Sequence, residues 1–329
     1  MRALVIGLGS MGKRRIRLLH NIDNTIEIYG VDARDDRRVD AKNMCNSLGF
    51  AIQTFATIEE VKKIEKIDIS LVCTSPASHG EIINECLQNN WTVFTEINLV
   101  GTKYSENIEL AKDKGLILYL SSTPMFRREV KYITDRVASI DNSANYIYHV
   151  GQYLPDWHPW ESYKDFFVGQ KSTNGCREIL AIELPWLSEA YGDITNIYSV
   201  TNKLTQLDID FQDSYNILVE HAGGNKGMIV ADVVCRPAVR YFETYGEAFY
   251  IRWDGTTDGL YEYSSGKPDK IDLYNEVRHQ DGYNSMIIEN EYEDELRDFL
   301  EVLNGEKNVR YSFEKDLKIL NWIDEVEKC

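Results

Sequence analysis

The chain has 329 residues, 43% of them hydrophobic and 27% charged, ordinary proportions for globular protein with material for about two domains. Its formal net charge of −17 argues against a nucleic-acid partner or an anionic membrane surface, both of which attract cations. No apolar run reaches the roughly 18 residues that a membrane span needs, and Arg2 leads into an apolar stretch and a glycine turn rather than a signal peptide. Cys45, Cys73, Cys86, Cys176, Cys235 and Cys329 are scattered without metal-ligand spacing. No metal site is expected, and reduced thiols in a cytoplasmic protein follow.

Residues 3–6 are all apolar and read as a buried parallel strand. Gly7-Leu8-Gly9-Ser10-Met11-Gly12 comes next, and Ile16 and Leu19 then begin a helical stripe. Between a strand and a helix, G-x-G-x-x-G serves a dinucleotide: a tight turn, close backbone approach to the pyrophosphate, and close helix–strand packing. The free N–H groups of the helix aim at the phosphates. Residues 26–31 form a second strand ending at Asp32, the acidic residue about 20 positions on that completes the pattern. A carboxylate there accepts a ribose 2′-OH and repels a 2′-phosphate, so NAD is expected rather than NADP. Arg34, Arg37 and Arg38 stand near enough to offer a phosphate site, although an exposed helix-start charge accounts for Arg34.

Residues 35–48 place Ala41, Met44, Cys45 and Leu48 on one helical face, with Gly49 as the stop. Thr57-Ile-Glu-Glu60 is a capping box opening a helix to about residue 66. A strand over 68–73 leads into Thr74-Ser75-Pro76 and a helix through Cys86, with His79 near its start. Residues 91–95 form a fifth strand ending at Glu96, and a helix over 104–114 precedes a sixth strand over 116–121. The alternation specifies an α/β class with an N-terminal Rossmann domain over 1–122: a doubly wound parallel sheet that binds its ligand at the strands' carboxyl ends. Gly7, Gly9, Ser10, Met11, Gly12, Asp32, Thr74, Ser75, Pro76, His79 and Glu96 fall along that crevice as cofactor contacts.

From residue 123 to 329 the rhythm changes to an α+β domain for substrate binding and dimerisation. Strands are expected over 144–153, 196–201, 214–221, 227–235, 240–245 and 248–254, with Gly223-Gly224-Asn225 as a hairpin turn. Helices are expected over 125–133, 291–303 and 312–328. The alternation at 147–153 suits a large, mostly antiparallel sheet with one covered face. Its open face suits a substrate or a second subunit.

These residues together resemble the Gfo/Idh/MocA family, that is, glucose–fructose oxidoreductase, inositol dehydrogenase and their relatives. The resemblance rests on the glycine turn, Asp32, Thr74-Ser75-Pro76 with His79, Glu96, Arg240 to Glu247, and the closing helices. It implies hydride transfer between a nicotinamide ring and a carbinol or ketone carbon of a sugar or cyclitol. It also implies a two-domain subunit that forms homo-oligomers through the open sheet. Two departures stand out. Family members follow the strand-five Glu with Lys and Pro, whereas this chain reads Glu96-Ile97-Asn98. Their substrate helix carries an Asp and, four positions on, a His; here Cys176-Arg-Glu-Ile-Leu-Ala-Ile-Glu183 restores neither register in full. Trp157-His-Pro-Trp-Glu161 together with Cys176-Arg-Glu-Ile-Leu180 resembles a subgroup found with bacterial surface-sugar pathways of the nonulosonic-acid type.

Hydride removal from an alcohol requires its hydroxyl proton to leave to a group of suitable pKa. Ionisable and aromatic residues are densest over 152–163, where His158 stands between Trp157 and Trp160 and is flanked by Asp156 and Glu161. His158 and Glu183 are the candidate acid/base pair. Trp157 and Trp160 offer flat faces to a sugar ring, Arg177 an anion contact and Glu178 a hydroxyl contact. The plainer alternatives are a Trp/Pro-anchored loop, a helix-start ion pair at Arg177 and Glu178, and a salt bridge from Glu183 to an arginine of its own domain. An NAD-dependent sugar oxidoreductase and a non-catalytic dinucleotide-binding sensor are the two functions compatible with the chain.

Overall fold

The computed structural model describes residues 1–63, 66–140, 144–159, 161–247, 249–264, 266–280 and 286–328. The chain forms two compact units: Met1–Ser121 with Tyr292–Leu317, and Ser122–Glu291 with Lys318–Cys329. The first division falls beside the expected 122/123 boundary. The segment Tyr292–Leu317, which the sequence reading places in the second domain, belongs to the first unit. The reason is hydrophobic: Leu296, Phe299 and Val302 are buried in the same core as Ala3, Val5, Leu71 and Phe94.

In the first unit, β1 (Arg2–Ile6), α1 (Ser10–Ile22), β2 (Glu27–Val31), α2 (Asp35–Ser47), β3 (Gln53–Phe55), α3 (Ile58–Lys62), β4 (Ile69–Val72), α4 (His79–Gln88), β5 (Thr92–Thr95), α5 (Tyr104–Lys114) and β6 (Leu118–Leu120) alternate along the chain. Their strands lie in the order β3-β2-β1-β4-β5-β6, all parallel. The switch point between β1 and β4 is where such sheets bind ligands. Residues 3–6, on the strand feeding the glycine turn, are at most 3% exposed, as a strand covered on both faces requires. The capping box holds in part: Thr57 accepts from the Glu60 N–H and Glu60 accepts from the Ala56 N–H.

In the second unit, α6 (Arg128–Ala138), β7 (Asn145–Gly151), α7 (Gly175–Tyr191), β8 (Ile194–Asn202), β9 (Ser214–His221), β10 (Lys226–Asp232), β11 (Val239–Gly246), β12 (Phe249–Trp253), β13 (Leu260–Ser264) and β14 (Lys267–Lys270) build an eight-stranded sheet with helices. The order is β14-β13-β12-β11-β7-β10-β9-β8. Only the β7–β10 pair in it is parallel. Gly223 and Gly224 take the positive φ that the β9–β10 turn requires. Tyr146, Tyr148 and Phe242 are buried on the face carrying α7, whose Trp186 meets Phe242 edge-on at 5.2 Å. On the other face Tyr198, Leu218, Met228 and Ile147 form one row in register and remain exposed. Helices α8 (Glu289–Leu303) and α9 (Phe313–Val326) close the chain. Among the described residues no helix is long and apolar enough to cross a membrane.

Candidate functional site

The glycine turn is built by steric exclusion. Gly7 has φ +92°, and a Cβ there would lie 2.7 Å from the Cys73 carbonyl oxygen. A Cβ on Gly12 would lie 1.9 Å from the Gly7 carbonyl oxygen, so α1 approaches β1 as closely as it does only because Gly12 has no side chain. The first bond of the α1 ladder runs from Lys13 N to Gly9 O, and the N–H groups of Met11 and Gly12 in the first turn are directed ahead of the helix. A Cβ on Gly9 would meet nothing nearer than the Arg37 guanidinium at 3.7 Å, so the turn is open on the side where a pyrophosphate would sit. Gly12→Ala is therefore expected to weaken dinucleotide binding at least tenfold and to destabilise the fold by about 1–3 kcal/mol through overpacking. Cofactor titration and urea denaturation of the same variant check both effects.

Asp32 closes the same crevice from the end of β2. Its Oδ2 accepts from Leu8 N–H and its Oδ1 from Arg34 N–H, each at 2.9 Å, so the carboxylate is oriented by the glycine loop itself. Each oxygen keeps lone-pair capacity for a ribose hydroxyl. The three nearby arginines differ. Arg34 is paired with Asp36, and Arg38 with Asp35 and with the carbonyls of Asp32 and Ala33. Arg37 lies over the turn, 42% exposed, with Nη1 3.7 Å from Asp32 Oδ2.

Beyond β4 and β5 the loops are cross-braced. The Thr74 and Ser78 hydroxyls lie 2.9 Å apart, and Ser78 Oγ donates to the Ser75 carbonyl. Ser75 caps the short turn that Pro76 opens. Both His79 nitrogens are used, Nε2 with the Thr74 carbonyl and Nδ1 with Asn98 Oδ1, each at 2.9 Å. Burial pushes the pKa of this imidazole down despite those bonds, and the ring braces the two crevice loops. Glu96, expected to face a cofactor, instead accepts from Arg15 Nε at 2.6 Å and Nη2 at 3.2 Å. Arg15 also pairs with Glu295 at 2.6 Å and reaches Ser121. Burial opposes the Arg15 charge, but Glu96 and Glu295 together raise its pKa. Burial likewise raises the pKa of Glu295 against the pull of Arg15.

In the second unit, Asn174 Oδ1 accepts from Arg177 N–H and so starts α7 at Gly175. Arg177 is 5% exposed and bridges Glu327 at 2.6 Å and Asp324 at 2.7 Å. Its fork is occupied by structural carboxylates rather than open to a substrate anion. Glu183 is equally committed. Its Oε2 accepts from Tyr148 Oη at 2.8 Å and Trp186 Nε1 at 2.7 Å, and its Oε1 pairs with Arg240. That is the salt-bridge alternative, and it leaves no oxygen poised for proton transfer. Glu178 is different. Part of its side chain reaches the surface, yet Oε2 is closed off and has no hydrogen-bond partner among the described residues. Burial pushes its pKa up to about 8. Desolvation outweighs the helix N-terminus, whose field favours an anion by only about 1 kcal/mol.

The 152–163 loop does not hold the constellation that the sequence suggests. Asp156 pairs with Arg236, not His158. His158 Nδ1 lies 3.0 Å from Glu161 Oε1, and its ring packs 4.1 Å from Phe166. Burial lowers its pKa against the pull of Glu161. Trp157 donates from Nε1 to the Gln152 carbonyl at 2.8 Å, and its ring edge stands 3.4 Å from where a Gly175 Cβ would be. It is the anchor of the loop on α7. Trp160 lies outside the described residues.

Residues 1–121 match the profile of the family described as Oxidoreductase family, NAD-binding Rossmann fold (GFO_IDH_MocA). A curated relative, the myo-inositol 2-dehydrogenase of Thermotoga maritima, is 30% identical over 140 residues, which are 42% of this chain and 40% of that protein. The match thus spans under half the length of that relative. Among solved structures, a myo-inositol dehydrogenase from Corynebacterium glutamicum superposes with a TM-score of 0.78 at 15% identity, covering 100% of this chain and 96% of the other. The WlbA dehydrogenase of Bordetella pertussis, in complex with NADH and UDP-GlcNAcA, gives 0.77 at 12% identity, covering 100% and 95%. At such identities the structural likeness speaks for the fold, in both units. The first 121 residues carry the likeness: they match the NAD-binding Rossmann domain of that oxidoreductase family.

Proposed function

We propose that the chain is an NAD-dependent oxidoreductase acting on the CH–OH or C=O carbon of a sugar-type substrate, with Glu178 as its acid/base. The observation that carries the reading is the buried, unpartnered Glu178 Oε2 in the first turn of α7. A carboxyl held near pH 8 suits proton exchange at neutral pH better than the saturated Glu183 or the Glu161-bound His158. The relatives named above support the substrate class.

In this reading the N–H groups ahead of α1 and the side-chain-free turn at Gly7, Gly9 and Gly12 hold the pyrophosphate, and Asp32 holds the ribose. Bound nicotinamide supplies the hydride acceptor or donor. In the oxidative direction Glu178, as carboxylate, takes the substrate hydroxyl proton as the hydride leaves the carbinol carbon, and then returns that proton to solvent. Glu183 with Arg240, and Arg177 with Glu327, keep α7 in place while this happens. Asp32 favours NAD over NADP because a 2′-phosphate would approach its carboxylate. The exposed row Tyr198, Leu218, Met228 and Ile147 supports pairing of subunits through the open sheet.

The test is to load purified protein with NAD or NADP and follow nicotinamide absorbance while a panel of sugars, cyclitols and nucleotide-linked sugars is added. Tighter NAD binding and a change of redox state with one substrate class are expected. Tight binding with no redox change across the panel would overturn the catalytic reading and leave a dinucleotide-binding sensor.

A further inference from the structure

The sequence offers no metal-ligand spacing, yet the fold brings His149, Asp232 and Cys235 together. Their ligand atoms all lie within 4.8 Å of one another. His149 comes from β7, Asp232 ends the parallel neighbour β10, and Cys235 follows three residues later. His149 Nε2 is 2.7 Å from Asp232 Oδ2, Cys235 Sγ is 3.5 Å from that nitrogen, and Sγ is 3.4 Å from Oδ2.

This is not a Cys–His–Asp nucleophile relay. Such a relay uses both ring nitrogens, one toward the nucleophile and one toward the carboxylate, whereas here carboxylate and thiol converge on the same Nε2. Three unlike donors converging on one point is the arrangement of a cation site. A tetrahedral Zn²⁺ with bonds of about 2.0–2.3 Å sets its ligand atoms roughly 3.3–3.6 Å apart. Both sulfur separations already fit, and the N–O separation needs to open by about 0.6 Å as the hydrogen bond is replaced by two metal bonds.

The surroundings hold the donors ready. Asp232 Oδ1 accepts from the N–H groups of Val234 at 2.8 Å and Cys235 at 2.7 Å. The tight turn thereby fixes the carboxylate with Oδ2 facing His149, the kind of outer hydrogen bonding that orients metal ligands. The facing residue on β7 is Gly151, where a Cβ would stand 2.6 Å from Asp232 Oδ2. The space beside that oxygen is kept clear. A thiolate, an imidazole and one carboxylate form a mixed soft and borderline set that selects Zn²⁺ over Mg²⁺ or Ca²⁺.

We propose that His149, Asp232 and Cys235 form a Zn²⁺ site on the sheet of the second unit, with three protein ligands and a fourth position for water or another donor. Cys235 binds as thiolate, and its proton passes to solvent.

The test uses the full chain, stripped with chelator, given one equivalent of Zn²⁺, desalted and measured for metal content. About one zinc per chain is expected, and His149→Ala and Cys235→Ser are each expected to weaken retention at least tenfold in chelator competition. Replacement by Co²⁺ is expected to give a thiolate-to-metal charge-transfer band in the unmodified protein that Cys235→Ser abolishes. Unchanged NAD binding in both variants verifies that the chain is folded. No zinc retained by the unmodified protein, or equal retention in both folded variants, would overturn the site.

Discussion

Arg15→Met is expected to destabilise the protein by about 3–5 kcal/mol, the usual result of removing one partner from a buried charge cluster. Arg15 has no exposed side-chain surface and Glu295 has none either, so the substitution leaves two carboxylates, Glu96 and Glu295, without their cation. The guanidinium also sits 4.6 Å over the Phe94 ring, a contact that methionine replaces only in part. Urea denaturation at neutral pH measures the loss; a change below about 1 kcal/mol would mean that the cluster behaves like an exposed pair. Glu295→Gln separates the terms. Its folded pKa is raised by burial, so in the unmodified chain stability falls as pH climbs from the ordinary carboxyl value toward the folded one. The glutamine variant is expected to flatten that slope. Because α1 carries both Arg15 and the first-turn N–H groups, Arg15→Met is also expected to weaken dinucleotide binding.

The parts legible from sequence are those fixed by neighbouring residues. Gly7 and Gly12 announce a turn that only glycine fits, and Asp32 stands at the distance the turn requires. Partners remote in sequence leave no such signal. Arg15 reads as one of several charges in Lys13-Arg14-Arg15, while its acceptors lie 81 and 280 positions away. Glu183 looks poised on an apolar stretch because Tyr148 and Arg240 come from strands 35 and 57 residues distant. The same blindness favours His158: local crowding with Asp156 suggests an oriented pair, but Arg236, 80 positions on, takes the aspartate. His149, Asp232 and Cys235 are hidden for a related reason, since strand register rather than spacing brings them together. Periodicity assigned helices α8 and α9 well as elements. It could not say which core their apolar faces join.

Glu178→Gln is expected to lower turnover by about 10²–10⁴, the usual contribution of a positioned acid/base, while leaving NAD affinity unchanged. Glutamine keeps the shape and polarity of the side chain but cannot accept the substrate proton. In the unmodified protein, kcat/KM for oxidation is expected to rise through about pH 8, where Glu178 becomes carboxylate, and the variant is expected to lack that limb. Stability should move the other way. A carboxyl whose folded pKa lies above its unfolded value binds a proton more tightly when folded. Its penalty is therefore absent below about pH 4.5, grows as pH rises, and is complete above about 8. Glu178→Gln removes that penalty, so at pH 8 the variant is expected to unfold at higher urea than the unmodified chain, with the two converging near pH 4.5. A merely structural carboxyl with the same raised pKa would gain stability on substitution and keep its turnover. Opposite signs in the two measurements are what a strained, functional group gives, and equal turnover in the variant would remove Glu178 from the chemistry.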